Sequence, residues 1–293
     1  MPELPDIDVY IDTLETCAGG RRLDAVRIRN PFLVRSVTIS PTAAEGHRIT
    51  QLRRIGKRIA MGFDNGMWFV LHLMIAGRLH WKSDKPVLSG KQHLAAFDFE
   101  TGSLLLTEAG TRKRASLHVV GSVAELQDHD PEGLEPLQCS FDEFVARLVS
   151  ENHTLKRALT APQLFSGIGN AYSDEILHAA RLSPVLLSQK LDAEQQRSLF
   201  EATVATLTRW RDELLREAGG KIPQKVTAFR DGMAVHGRFG LPCPDCGEPV
   251  QRIRYKDNET NYCARCQNES RILRDRSLSR LLKEDWPKTL DEL

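Results

Sequence analysis

Two CxxC pairs, Cys243-Pro-Asp-Cys246 and Cys263-Ala-Arg-Cys266, stand sixteen residues apart near the C-terminus. Each pair bends the chain into a knuckle that aims two thiolates at one point, and four such thiolates suit a tetrahedral zinc ion. A rubredoxin-like iron site or a redox dithiol are the alternatives for this spacing. A site closed by four cysteines leaves no position for substrate, so the expected zinc is structural. What it displays is the intervening segment. Val250 to Asn261 reads as a two-stranded hairpin turning near Asp257-Asn258, and it carries Arg252, Arg254 and Lys256. The two remaining cysteines, Cys17 and Cys139, stand alone and read as core or surface thiols, which fits metal ligation in a reducing compartment rather than disulfides.

A chain of 293 residues with 41% hydrophobic content can bury a core and form two ordinary domains. No stretch approaches the roughly 20 apolar residues of a membrane span, and the N-terminus lacks a basic-then-apolar leader. The expectation is a cytoplasmic monomer, nucleoid-associated if bacterial, with no membrane partner. The net charge of +1 is spread unevenly. Arg21, Arg22, Arg27, Arg29, Arg35, Arg48, Arg53, Arg54, Lys57 and Arg58 face only Asp24 and Glu45 across that segment. Such an excess can form a footprint for phosphates, or it can be an ordinary solvated basic surface.

The pattern along the chain changes twice. Ile7, Tyr10, Ile11, Leu14 and Cys17 recur at helical spacing after Pro2 and stop at Gly19-Gly20, predicting an N-terminal amphipathic helix. From Leu23 to about Val120 short strand-like runs follow, with hairpin signals at Asn65-Gly66 and Thr101-Gly102. Past an acidic, proline-containing linker near Asp128 to Pro136 the pattern turns helical. Ser140 with Glu143 caps a helix through Val149, Asn170 to Ala180 reads as a second helix, and Asp192 with Gln195 opens a third to about Glu217. Lys221 to Gly240 reads as a turn-rich linker, and the tail places Leu278, Leu281, Leu282 and Trp286 at helical spacing.

Gly167-Ile168-Gly169-Asn170 lacks the preceding strand that a dinucleotide site needs. It reads either as a phosphate seat at a helix N-terminus or as a plain interhelical turn. At the other end, Pro2 follows Met1, and a small second residue usually permits removal of the initiator. That would leave a secondary amine at a helix start, where the positive end of the dipole disfavours its protonation. Glu3 is its neighbour. Pro2 alone would just be a good first residue for a helix.

Taken together, Met1-Pro-Glu-Leu-Pro-Asp, Gly167-Ile-Gly-Asn-Ala-Tyr-Ser-Asp-Glu and Val235-His-Gly-Arg-Phe-Gly-Leu-Pro-Cys resemble the formamidopyrimidine-DNA glycosylase and endonuclease VIII family in content, order and spacing. The resemblance covers nearly the whole chain to Gln267. It implies an α+β multidomain protein: an N-terminal helix plus antiparallel β-sandwich as catalytic domain (1–128), a helix-two-turns-helix domain (137–234), a zinc hairpin (235–267) and a tail (268–293). It also implies double-stranded damaged DNA as partner and covalent chemistry, with Pro2 attacking C1′ and Glu3 moving protons. Lys57 would contact the lesion's phosphate or base, while Lys156, Gly169 and Asn170 would hold flanking phosphates. A flipped nucleotide leaves a gap that side chains must fill. In His72-Leu73-Met74-Ile75 either Met74 or Ile75 could be that wedge, whereas His72 reads as strand core.

Two departures stand out. The loop that supplies an Arg and a Phe in the family reads Thr107-Glu-Ala-Gly-Thr-Arg-Lys-Arg-Ala-Ser and has no Phe, leaving Arg112 or Arg114 to substitute. At the hairpin tip Asn258 stands two residues before Thr260 where the family generally has Arg, and Lys256 or Arg254 could compensate. The readings this leaves are a bifunctional glycosylase and AP lyase for oxidised purines, a relative acting on oxidised pyrimidines or abasic sites, and a non-catalytic sensor of damaged DNA.

Overall fold

The hairpin signals become antiparallel strands in the computed structural model, which describes every residue except 224–225, 256–257, 276–278, 282 and 293. Helix α1 (Leu4–Ala18) comes first, as its periodicity requires. Eight strands follow: β1 (Leu23–Ile28), β2 (Ile49–Ile55), β3 (Arg58–Phe63), β4 (Trp68–His72), β5 (Gly77–Lys82), β6 (His93–Phe99), β7 (Gly102–Glu108) and β8 (Ser116–Val120). They form two four-stranded sheets, ordered β1-β6-β7-β5 and β2-β3-β4-β8, with every neighbouring pair antiparallel. Both hairpin turns fall where the sequence places them. Gly66 takes a left-handed φ of 84° between β3 and β4, and Gly102 opens β7.

The core of this unit is the space between the sheets. Alternate residues of β3 (Ile59, Met61, Phe63), β6 (Ala95, Phe97, Phe99) and β7 (Leu104, Leu106) face inward, and Ile7, Tyr10, Leu14 and Ala18 of α1 join the same cluster. The period of two is what allows each strand to send one face to this layer. Residues 210–227 belong to this compact unit with 1–131, and Ile222 and Val226 sit in its core. The segment after Lys221 is therefore not the free linker that its turn residues suggest, because two apolar side chains in it bury themselves in a distant core.

The second unit comprises 132–209 and 228–293. After the short helix α2 (Val123–Gln127) of the first unit, it holds α3 (Phe141–Val149), α4 (Leu155–Thr160), α5 (Asn170–Ala179) and the start of α6 (Ala193–Ala218). Ser140 and Glu143 form the reciprocal capping box of α3, and Asp192 and Gln195 exchange bonds of 2.8 and 3.2 Å at the start of α6. Strands β9 (Gln251–Tyr255) and β10 (Asn258–Tyr262) make the expected hairpin, followed by α7 (Ala264–Asn268). Part of the expected turn and Lys256 lie outside the described residues. Of the tail's apolar positions, Leu278 and Leu282 lie outside the described residues, Leu281 is 77% exposed and Trp286 half-buried, and an Arg271–Thr289 bridge folds the segment back on itself.

The tightest approach in the first unit is at Gly62, paired with Trp68 across β3 and β4, where an added Cβ would stand 2.7 Å from the indole ring. Trp68 is 3% exposed and packs with Ile55, Ala60, Val70, Val120 and Leu126, so the ring has little room to yield. Gly62→Ala is expected to destabilise by about 1–3 kcal/mol through overpacking. An unchanged denaturant midpoint would show that the ring relaxes freely.

Candidate functional site

Burial carries the N-terminus into the first unit. Glu3 is 3% exposed and Asp6 5%, while the Glu3 N–H donates to Asp6 Oδ2 at 2.9 Å and so closes the first turn of α1. The helix is then held on the sheet by an ion pair of 2.8 Å from Arg54 on β2 to Asp8. Burial pushes the terminal amine, carried by Met1 in the intact chain, below its ordinary value; Glu3 and Asp6 oppose this, and Arg78 and Lys57 reinforce it. Lys57 is near enough for its charge to act on that amine. Lys57 gets there on the two-residue connection between β2 and β3, where Gly56 takes a φ of 58°.

The basic run is mostly spent on structure. Arg27 grips the buried Asp98 with bonds of 2.7 and 2.9 Å, Arg48 reaches Glu100, Arg54 holds Asp8, and Arg58 donates to the His129 carbonyl at 2.9 Å. Several of the partners lie outside the counted segment, which is why the local excess overstated the free positive charge.

The two wedge candidates part company in the loop after β4. Ile75 is 57% exposed, whereas Met74 is half-buried at a left-handed φ of 53°. The Met74 N–H donates to His72 Nδ1 at 3.0 Å, so His72 anchors the loop from the end of the strand rather than filling the core. Burial pushes His72 down to about 4 from 6.5, with Arg58, Lys57 and His118 repelling its cation. The neutral ring is the form whose Nδ1 can accept.

Arg112 and Arg114 are both exposed on the β7–β8 loop. What shapes that loop is Glu108, which is 2% exposed and accepts from the Arg114 N–H at 2.9 Å and the Ala115 N–H at 3.1 Å. Sequence reading passed over it because a glutamate at a strand end looks solvated.

In the second unit α5 presents a polar face at positions 170, 174, 175 and 178, spaced to lie along one side of a helix. Asn170 Nδ2 donates to the Glu259 carbonyl at 2.8 Å. Asp174, 1% exposed, accepts from Lys156 Nζ at 2.5 Å and lies 2.8 Å from His236 Nδ1. Glu175 takes the N–H groups of Ala234, Val235 and His236 at 2.7 to 2.9 Å. His178 Nε2 stands 3.3 Å from Cys243 Sγ. Gly169 is the N-cap of this helix. Asp174, Glu175 and His178 were missed as determinants; their polar character at i+4, i+5 and i+8 from Asn170 was the available signal.

The four cysteines meet as their spacing requires. Their sulfurs all lie within 4.8 Å of one another, with 3.9 Å between Cys243 and Cys266 and 3.4 Å between Cys246 and Cys263. Zinc–sulfur bonds of about 2.3 Å give a tetrahedron with edges of about 3.8 Å, which these positions fit. Without a cation, burial pushes Cys263 up to about 12, so four thiolates in this space need a divalent ion to offset their charge. The donor set and its geometry define a structural zinc site.

Three family models match in chain order: the formamidopyrimidine-DNA glycosylase N-terminal domain over residues 1–117, the H2TH domain of the same enzymes over 132–211, and the zinc finger found in FPG and IleRS over 240–268. The formamidopyrimidine-DNA glycosylase of Variovorax paradoxus is 30% identical over 281 residues, covering 91% of this chain and 100% of its own length. An uncharacterized formamidopyrimidine-DNA glycosylase-like protein of Mycobacterium tuberculosis is 38% identical over 151 residues, or 52% of this chain and 94% of that protein. The crystal structure of MutM (Fpg) from Thermus thermophilus superposes with a TM-score of 0.72 at 31% identity, covering 91% of this chain and 98% of that one. A Lactococcus lactis Fpg mutant in complex with Fapy-dG-containing DNA shares the fold, with a TM-score of 0.77 at 23% identity over 91% of this chain and 100% of that one. The chain belongs to the formamidopyrimidine-DNA glycosylase family.

The His72 contact has a pH dependence with a defined sign. Its folded value lies below 6.5, so its contribution to stability is complete above pH 6.5 and is lost as pH falls toward about 4. His72→Asn offers an acceptor that does not titrate, and thermal unfolding across that window should show a shallower acid limb for the variant. Identical acid limbs would remove His72 from this role.

Proposed function

We propose that the protein is a bifunctional DNA glycosylase and AP lyase that excises oxidised bases, 8-oxoguanine or formamidopyrimidine in type, from double-stranded DNA. The observation that carries this reading is the burial of Pro2 and Glu3 at the start of the chain, next to a terminal amine of Met1 that partial burial and the charge of Lys57 hold below its ordinary value. Removal of Met1 would leave the Pro2 nitrogen as that amine. Its lone pair forms a bond to C1′ while the C1′–N bond of the damaged base breaks, and the base departs with the bonding pair and takes up the proton that the Pro2 nitrogen gives up. Glu3 gives a proton to the sugar ring oxygen as the ring opens, leaving an iminium between Pro2 and C1′. That cation acidifies C2′–H, so loss of this proton breaks the C3′–O bond, and a second elimination releases the 5′ phosphate.

Lys57 supplies a cation for the lesion's phosphate or base. Lys156, Gly169 and Asn170 serve flanking phosphates in this reading, with Asp174 fixing the Lys156 amine at 2.5 Å. Ile75, the exposed member of its pair, is the side chain that enters the stack when the nucleotide leaves it. Met74 serves the loop's shape instead. Arg112 and Arg114 remain the cations available to the base opposite, and Asn258 gives the hairpin tip only a neutral amide.

A second reading, preference for oxidised pyrimidines or abasic sites, draws on the β7–β8 loop. That loop has no Phe and is tied down by Glu108, so it offers little to discriminate a purine.

Duplexes carrying 8-oxoguanine, a formamidopyrimidine, an oxidised pyrimidine or an abasic site separate the readings by base release and strand cleavage. Faster base release from the two purine lesions is expected. Cleavage confined to abasic and pyrimidine substrates favours the second reading, and binding without cleavage of any substrate contradicts both. Within the panel, Ile75→Ala should lower the rate on base lesions roughly tenfold, about 1.4 kcal/mol, and Met74→Ala should cost much less. The reverse order would make Met74 the wedge.

A further inference from the structure

The zinc hairpin carries an anion seat that its own carboxylate occupies. In the antiparallel register Arg254 stands opposite Glu259 and Arg252 opposite Asn261, which puts all four side chains on one face of the hairpin. The two oxygens of Glu259 are each engaged there. Oε1 accepts from Asn261 Nδ2 at 2.9 Å, and Oε2 accepts from Arg252 Nη1 at 3.2 Å and lies 4.0 Å from Arg254 Nε.

This arrangement is more than a chance surface pair. Asn261 is 1% exposed, and its Oδ1 takes the Gly237 N–H at 2.8 Å, so the amide that aims at Glu259 is itself fixed. Arg252 is held from beneath by the ring of Phe239, 4.0 Å from its guanidinium carbon. The backbone of Arg254 is held at the outer edge of β9, where its N–H donates to Oδ2 of the buried Asp275 at 2.6 Å. One guanidinium group and an amide are therefore preset around one planar anion, with the side chain of Arg254 alongside at 4.0 Å, 63% exposed and open to a second one.

A carboxylate and a phosphate diester present similar oxygen pairs to such a fork. They cannot share it without cost, because two like charges about 4–5 Å apart repel at the surface of a protein. We propose that Glu259 is a built-in competitor for the DNA backbone: it fills the seat of Arg252, Arg254 and Asn261 in the free protein, and a backbone phosphate takes that seat by displacing it. The inference rests on the reading of the hairpin as a DNA-binding element. Its consequence is restraint. The carboxylate neutralises the hairpin against undamaged DNA, and the second unit gives up that ion pair only when other contacts of the duplex favour the exchange. The carbonyl of the same residue accepts from Asn170, and this bond survives any change of the side chain.

The test is the salt dependence of binding for the full-length, zinc-loaded protein, using a fluorescent duplex with one tetrahydrofuran abasic-site analogue and the matching undamaged duplex. Glu259→Ala and Glu259→Gln are compared with the wild type after zinc content is shown to be equal. Each variant should bind both duplexes roughly three- to tenfold more tightly near 0.1 M salt, with a log–log slope steeper by about 0.9, the value for one additional phosphate. The lesion duplex should lose part of its advantage over the undamaged one. Weaker binding or a shallower slope in both variants would overturn the proposal and make Glu259 a group that orients the arginines for phosphate. An unchanged slope would overturn it as well. A wild type that binds neither duplex sinks the DNA reading itself, which the variants' slopes alone do not touch.

Discussion

Burial of one face of α1 is the constraint on which the chemistry of the N-terminal unit depends. Leu4, Ile7, Tyr10, Leu14 and Ala18 are all fully buried, and most of them share the core between the two sheets. Each large apolar side chain of that set contributes roughly 1.5–3 kcal/mol when removed from water. The helix cannot slide or rotate without losing several of these contacts together. Its first turn inherits that rigidity through the Asp6 cap and the Arg54–Asp8 pair. A chain end that would ordinarily fray is thereby held beside fixed charges. The placement of the chain's first residues is thus a packing effect first and an electrostatic one second.

The second unit solves a comparable problem with polar groups. Residues 171–178 of α5 are buried throughout, and among them Asp174, Glu175 and His178 all find partners. A buried polar group left unmatched costs about 1–3 kcal/mol, so this face specifies its neighbours more sharply than an apolar one would. Glu175 fixes the entry to the cysteine module, Asp174 ties Lys156 to His236, and His178 approaches the sulfur of a zinc ligand. The outer contacts of a metal site orient its ligands. Here they also join the metal module to the helix that begins at Asn170, so the zinc hairpin and the expected phosphate ligands are set by one element.

Much of this was legible in the residues. The CxxC pairs located the metal, Asn65-Gly66 and Thr101-Gly102 located two turns, and Ser140 with Glu143 located a helix start. These are local signals, read within a few residues. Part of what escaped depends on contacts between distant segments. Ile222 and Val226 look like linker residues until the core they enter is known. The excess of arginines from Arg21 to Arg58 looks like a phosphate footprint until Asp8, Asp98 and Glu100 are seen to consume part of it. Other misses are local: Glu108 and Glu259 look like surface charges, although the N–H and guanidinium groups that they accept from lie within seven residues, because the pattern does not show how the loop and hairpin turn those groups inward. The left-handed Met74 is a further case: the sequence pattern did not show that Met74 is half-buried at a φ of 53° while Ile75 is exposed.

The central claim is that the positioned amino terminus is the nucleophile. Borohydride reduction during reaction with an abasic duplex would convert the iminium to a stable amine, and protease digestion with mass spectrometry would then show which residue carries the sugar remnant. The account predicts the remnant on the nitrogen of Pro2, in a chain that has lost Met1. A remnant on Lys57 or another lysine, or a chain that cleaves the duplex with Met1 still attached, would contradict it.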